Sequence, residues 1–288
     1  MRKTSAMRLI GPTVSDTDPR PACGACKFFL IDNRLHMLKQ KICLLTFLIV
    51  LINSQAFAAE PFLKVSAKTH AVKINGKSVE VDVYQPKGPQ NGAAVLTHGG
   101  FRGRKTMAGH AQALAERGVL VVAPDMPCTF DHRCNARAIS ELVKTLRDTD
   151  TFGVRTRRVI LVGFSAGGSS SLLAADTPGV VGFVGLDAYD HLPSNESERL
   201  GIVAARSLST ETLLLRAPAS SCNAQSAAAS WQTVLKTLWR DELIVGATHC
   251  DFEAPTDWLC RLACGETNVS RQLQVRQGLL DAVSRWLP

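Results

Sequence analysis

Hydrophobic residues fall along this chain in two distinct patterns. In Ser78-Val79-Glu80-Val81-Asp82-Val83-Tyr84 apolar and polar side chains alternate strictly, and Lys73, Asn75 and Gly76 precede them. Alternation with period two turns one face to a core and Asn-Gly suits a tight turn, so this region is predicted to be an antiparallel hairpin. The runs at 93–97, 119–123, 158–162, 180–186, 212–216 and 242–245 show little alternation. They fit parallel strands covered on both faces. Between them, residues 105–118 (with Gly118 placed to stop the helix), 135–148, 165–175, 227–239 and 271–286 are predicted to be helical. Strands alternating with helices after a hairpin predict an α/β fold with a doubly wound, mostly parallel sheet. Without repeats, low-complexity blocks or long linkers, residues 59–288 are read as one domain of about 230 residues.

The residues before that domain have a different character. From Met37, Lys39 and Lys41 make a basic start, residues 42–52 are an apolar run of 11, and Ala56-Phe57-Ala58 supplies an A-x-A cleavage signal. This is the layout of a secretory signal peptide at 37–58, and the run is shorter than the roughly 20 residues of a spanning helix. An uncleaved anchor or a buried helix is the alternative. Residues 1–36 lie upstream of the expected signal and are read as a start-site artefact or a disordered extension, with translation beginning at Met37. Cys23-Gly24-Ala25-Cys26 within them matches a C-x-x-C half-site but lacks both a strand-helix context and a second pair at zinc spacing.

Export changes the meaning of the composition. The full chain of 288 residues has a formal charge of +8, which suggests an anionic partner such as nucleic acid or membrane. Cleavage after Ala58 removes eight basic and three acidic residues, leaving 25 basic and 22 acidic, a charge of +3. No basic run interleaved with aromatics remains, so neither nucleic-acid binding nor stable membrane insertion is expected of the mature chain. Nine cysteines become six, an even number suited to an oxidising compartment, either the periplasm or the extracellular medium.

The chemistry is concentrated after the strand at 158–162, in Gly163-Phe164-Ser165-Ala166-Gly167-Gly168. A G-x-S-x-G string at a strand-to-helix turn lifts the serine oxygen above the sheet, and the glycines let the two backbones approach. Ser165 is the candidate nucleophile, and the following helix N-terminus favours developing negative charge. A serine hydroxyl needs a base. His249, in the loop after the strand at 242–245, alone among the six mature histidines has the expected chain order and loop position. His98 precedes the serine, His110 lies in a helix, and His70, His132 and His191 read as surface or loop residues. The acid commonly follows the strand at 212–216, yet Ala217-Pro218-Ala219-Ser220-Ser221-Cys222-Asn223-Ala224 contains no carboxylate. Asp187, at the end of the preceding strand, is therefore assigned to orient His249, with Asp190 in reserve. Thr97-His98-Gly99-Gly100-Phe101 approaches a lipase-type His-Gly-Gly motif, so the N–H groups of Gly100 and Ala166 are the expected oxyanion donors, with His98 bracing the loop.

Together these segments resemble the α/β-hydrolase superfamily over nearly all of residues 66–288. The acid in Leu186-Asp187-Ala188-Tyr189 resembles the branch containing platelet-activating factor acetylhydrolases and chlorophyllases, with dienelactone-hydrolase-like and polyester-degrading enzymes as broader relatives. That resemblance implies hydrolysis of small-molecule or polymeric carboxylic esters by a serine esterase, with no cofactor or metal. A peptidase or thioesterase on the same triad, or an inactive hydrolase-fold binding protein, are the alternatives.

Six cysteines allow 15 disulfide connectivities. Cys128 and Cys134 bracket a short loop, and Cys260 and Cys264 bracket Arg261-Leu262-Ala263. Cys222 and Cys250 follow neighbouring strands at the catalytic edge and are expected to pair, tethering the His249 loop. About two dozen residues, 188–211, separate Asp187 from the next strand, so no large lid is expected. Phe101, Tyr189 and Trp258 could line an open cleft.

Overall fold

Ten-residue strands on either side of Gly76 form the hairpin that the alternation predicts: β1 (Val65–Ile74) pairs antiparallel with β2 (Lys77–Pro86), from Val65 opposite Pro86 to Ile74 opposite Lys77. The computed structural model describes residues 63–74, 76–190 and 199–288. The expected signal peptide at 37–58, the stretch at 1–36, Asn75 of the turn and His191 lie outside the described residues. The described residues belong to one compact unit. No helix among them is long and apolar enough to cross a membrane.

The sheet has eight strands in the order β1-β2-β4-β3-β5-β6-β7-β8, where β3 is Gly92–Thr97, β4 Val119–Pro124, β5 Val159–Phe164, β6 Val180–Leu186, β7 Thr212–Arg216 and β8 Leu238–Leu243. β2 meets β4 antiparallel, and all pairings from β4 through β8 are parallel. Every residue of β3, β4 and β5 is buried, as their unbroken apolar runs require. Successive side chains point to opposite faces. Val95 and Leu161 therefore join one core with Ile139, Leu142 and Leu146 of helix α2 (His132–Asp148). Leu96, Ile160 and Val162 join another with Leu114 of α1 (Ala108–Ala115) and with Leu279 and Val283 of α6 (Val269–Trp286). The chain steps from β3 to β4 on one side and to β5 on the other. Such a reversal opens a crevice at the C-terminal ends of β3 and β5, where this fold class places its ligands.

Local departures from the predicted elements have physical causes. The helix expected at 105–118 begins as a tight turn, Arg104–Met107, before α1. The helix expected at 227–239 is a tighter coil, Ala227–Thr233, that buries Trp231 completely. The last strand is Leu238–Leu243 rather than 242–245. It is an edge strand whose Arg240, Asp241 and Glu242 blunt the open edge, so an apolar run was the wrong marker for it. Two further helices interrupt the loops: α4 (Leu200–Ser207) and α5 (Trp258–Cys264), the latter capped by Asp257, whose carboxylate accepts from the Cys260 N–H at 3.0 Å.

Helix α5 also corrects the disulfide pairing. Cys128 and Cys134 are bonded, but Cys222 pairs with Cys264 and Cys250 with Cys260. The expected Cys222–Cys250 bridge and a bridge within Cys260–Cys264 are both overturned. Residues four apart on a helix hold their Cβ atoms about 5–6 Å apart, too far for a disulfide's roughly 4 Å. Cys260 and Cys264 instead lie on one face of α5 and each reaches a different loop.

His110 of α1 ties the core to the loop carrying His249. Its Nε2 lies 3.0 Å from the Phe252 carbonyl, and complete burial pushes its pKa down to about 4 from the ordinary 6.5. The unfolded chain takes up this proton near pH 6.5, the folded one only near 4. The contribution is therefore fully present above 6.5 and lost as pH falls to 4, by about 3 kcal/mol for a shift of this size. Thermal unfolding measured between pH 7 and 4 should show this acid slope, and His110→Met should flatten it.

Candidate active site

Ser165 stands between β5 and α3 (Ala166–Ala174) with backbone angles φ 52° and ψ −122°, a conformation L-residues rarely adopt. Its N–H donates to the Leu186 carbonyl at 3.0 Å, and its own carbonyl accepts from the Tyr189 N–H at 2.9 Å, so the end of β6 holds the turn. The flanking glycines are required by close approach. A Cβ at Gly163 would lie 2.4 Å from the Gly167 carbonyl oxygen, and one at Gly167 would lie 2.5 Å from that of His98. The elbow expected from G-x-S-x-G is therefore present, with the N-terminus of α3 beneath it.

Asp187 and His249 meet at the same edge, 2.6 Å apart from Oδ2 to Nδ1, both buried. The Asp187 carboxylate has further donors. Oδ1 accepts from the Ala217 N–H at 2.9 Å and from Asn223 Nδ2 at 3.2 Å, and Asn223 also lies 3.3 Å from Oδ2. The loop after β7, which has no carboxylate of its own, thus supplies the groups that hold the acid. Asn223 is the residue that sequence reasoning missed. Its signal was a polar amide in that acid-free loop. Asp190 is engaged elsewhere: it accepts from Trp231 Nε1 at 2.8 Å and from the Gly201 N–H at 3.3 Å, and burial raises its pKa.

The remaining parts come from the end of β3. Arg102 N–H donates to the Gly99 carbonyl at 3.3 Å, closing a turn with Gly100 and Phe101 at its centre, and Phe101 has φ 56°. A Cβ at Gly99 would touch the Phe164 ring at 3.0 Å and Ser165 Cβ at 3.1 Å, so this turn lies directly on the elbow. The first N–H groups of an α-helix have no partner within it, which leaves that of Ala166 available beside the turn. His98 braces the loop as expected. Its Nε2 accepts from the Met126 N–H at 2.9 Å, its Nδ1 lies 2.8 Å from the Gly99 carbonyl, and desolvation lowers its pKa. Arg102 forks onto the buried Glu253 at 2.7 and 2.8 Å and also pairs with Asp257, fastening the Gly100 turn to the His249 loop.

A chamber of about 470 Å³ opens here, lined by Ser165, His249, Gly100, Ala166, Tyr189 and Phe101 among others. Leu259 and Ala263 of α5 complete its largely apolar wall, while Trp258, expected at the cleft, is not among the lining residues. The two disulfides on α5 therefore brace both catalytic-edge loops, one beside His249 and one beside Asn223. Replacing Cys250 and Cys260 together by alanine should cost about 2–3 kcal/mol of stability and lower kcat by roughly tenfold under conditions where the domain stays folded. Parallel assay and thermal denaturation check this; an unchanged kcat would contradict the bracing role.

A mostly parallel sheet carrying a serine on a strained strand-to-helix elbow, beside a buried acid–histidine pair, defines the α/β-hydrolase class. The model of the alpha/beta hydrolase family matches residues 94–285, and the chain belongs to that family. Among solved structures, dienelactone hydrolase from Anabaena variabilis is similar at 18% identity and TM-score 0.57, over 78% of this chain and 99% of that one. A Xanthomonas campestris protein described as an α/β serine hydrolase without a lid is similar at 22% identity and TM-score 0.54, over 80% and 99%. A search of curated protein sequences returned no match.

Proposed function

We propose that the protein is an exported serine hydrolase that cleaves carboxylic esters through an acyl-enzyme. The observation that carries this reading is the 2.6 Å contact between Asp187 and His249 on a chamber that also exposes Ser165 at its elbow. In this mechanism Ser165 Oγ bonds to the ester carbonyl carbon as its proton passes to His249 Nε2. Asp187 holds the imidazole by Nδ1 and stabilises its positive charge. The N–H groups of Ala166 and Gly100 receive the oxyanion. The carbon–oxygen bond to the alcohol then breaks, and the alcohol leaves with the proton from His249. Water attacks the acyl-serine, returning a proton to His249 and then to Ser165, and the carboxylic acid departs.

The open, mainly apolar chamber supports an ester substrate with an apolar portion. Nitrophenyl esters should be hydrolysed and matched nitroanilides should not; anilide turnover at comparable kcat/KM would favour a peptidase. Export is supported by the A-x-A signal before Ala59 and by three disulfides among the described residues. The mass of the mature protein should place its N-terminus at Ala59; a terminus upstream of Met37 would contradict this.

A further inference from the structure

Beyond the chamber lies a second, smaller space. It is a niche of about 140 Å³, less than a third of the chamber's 470 Å³, bounded by Met126, Thr129, Phe130, His132, Asn135 and Gly167. The two spaces share Gly99, Gly100, Phe101, Arg102, Phe130 and Ala166, so the expected oxyanion donors stand on the wall between them. Ser165 and His249 line only the chamber.

Resting on the serine-esterase reading, we propose that this niche is the acyl subsite and that Phe130 sets the acyl length. The assignment follows from where the proton must go. His249 protonates the departing alcohol oxygen, so the alcohol portion occupies the space that His249 lines. The acyl substituent leaves the same carbonyl carbon in the opposite direction, past Gly100 and Ala166, into the niche. A small niche beside a large chamber selects esters with a short acyl chain on a bulkier apolar alcohol.

Phe130 is built to close that subsite. A Cβ at Gly100 would lie 2.6 Å from Phe130 Cε1, so the ring packs on the oxyanion turn itself. Phe101 meets it edge to face with centroids 4.6 Å apart, and both residues adopt positive φ, 56° and 54°. The loop beneath is fixed from both ends. Cys128 and Cys134 are bonded across it, Asn135 exchanges hydrogen bonds with both backbone groups of Cys128 at 3.1 and 2.8 Å, and Asp131 caps α2 through the Cys134 N–H at 2.8 Å. A ring held this way on a surface loop, half-exposed rather than buried, contributes little to the core and much to the shape of the site.

The test is a nitrophenyl ester series from acetate to octanoate with the full mature chain, its Phe130→Ala variant and its Phe130→Leu variant. The leucine variant keeps an apolar side chain on the loop and serves if the truncation unfolds it. Wild type should prefer acetate to butyrate over octanoate. The variants should raise the octanoate-to-acetate ratio of kcat/KM, by at least about tenfold for alanine and less for leucine, because one methylene of room in a pocket is worth about that much discrimination. A ratio unchanged in variants that still hydrolyse acetate would overturn the subsite. Absence of hydrolysis of every ester by the wild type would instead overturn the esterase reading.

Discussion

Replacing Ser165 by alanine is expected to abolish ester hydrolysis, lowering kcat by about 10⁴- to 10⁶-fold while leaving the fold intact. The side chain is small and its turn is held by backbone bonds that alanine keeps, from Ser165 N–H to Leu186 and from Tyr189 N–H to Ser165. What alanine removes is the hydroxyl oxygen at the elbow, which lines the chamber beside His249. The oxyanion donors and the chamber would remain, so a residual rate above water and a nearly unchanged KM are expected. Steady-state kinetics with a short-chain nitrophenyl ester, alongside thermal denaturation, measures both. A loss of less than tenfold would mean that another group attacks the carbonyl.

The second large effect concerns the acid. In Asp187→Asn the new amide has to satisfy the donors already present: the Ala217 N–H and the Asn223 amide both point at Oδ1. Its oxygen will therefore take the Oδ1 place and its NH₂ the Oδ2 place, 2.6 Å from His249 Nδ1. An NH₂ there forces Nδ1 to accept and puts the histidine proton on Nε2, the atom that has to receive the serine proton. Holding the wrong tautomer, rather than losing a charge, is what should cost about 10⁴-fold in kcat. Asp190→Ala makes the contrast. It strands the Trp231 indole N–H and the Gly201 N–H, so it should cost about 1–3 kcal/mol of stability and change kcat little. If Asp190→Ala were the more damaging to kcat, the assignment of the acid would be reversed.

How much of this could be read from the sequence depended on whether local pattern or long-range packing decides each feature. The buried strands at 93–97, 119–123 and 158–162 were legible because covering both faces of a parallel sheet leaves unbroken apolar runs. The elbow was legible because Gly163 and Gly167 must be glycine for the backbones to approach. Asp187 could be placed by elimination, since the loop after β7 lacks an acid. What that loop does instead was not legible. The Asn223 amide reaches Asp187 only after residues 36 apart in sequence are brought together, and no local pattern announces it. The edge strand at Leu238–Leu243 carries charges to protect an open edge and so hides from an apolar search. The disulfide pairing failed for a related reason. A seven-residue helix capped by Asp257 turns Cys260 and Cys264 toward different partners, and proximity in sequence then misleads.

In the proposed mechanism Ser165 is a nucleophile activated by His249 and Asp187. Labelling the mature protein with a fluorophosphonate probe, followed by peptide mass spectrometry, tests it most directly. One stoichiometric adduct is expected on the peptide containing Gly163-Phe164-Ser165-Ala166-Gly167, absent from Ser165→Ala and forming much more slowly in Asp187→Asn. Failure to label the folded protein, or an adduct on another residue, would contradict it.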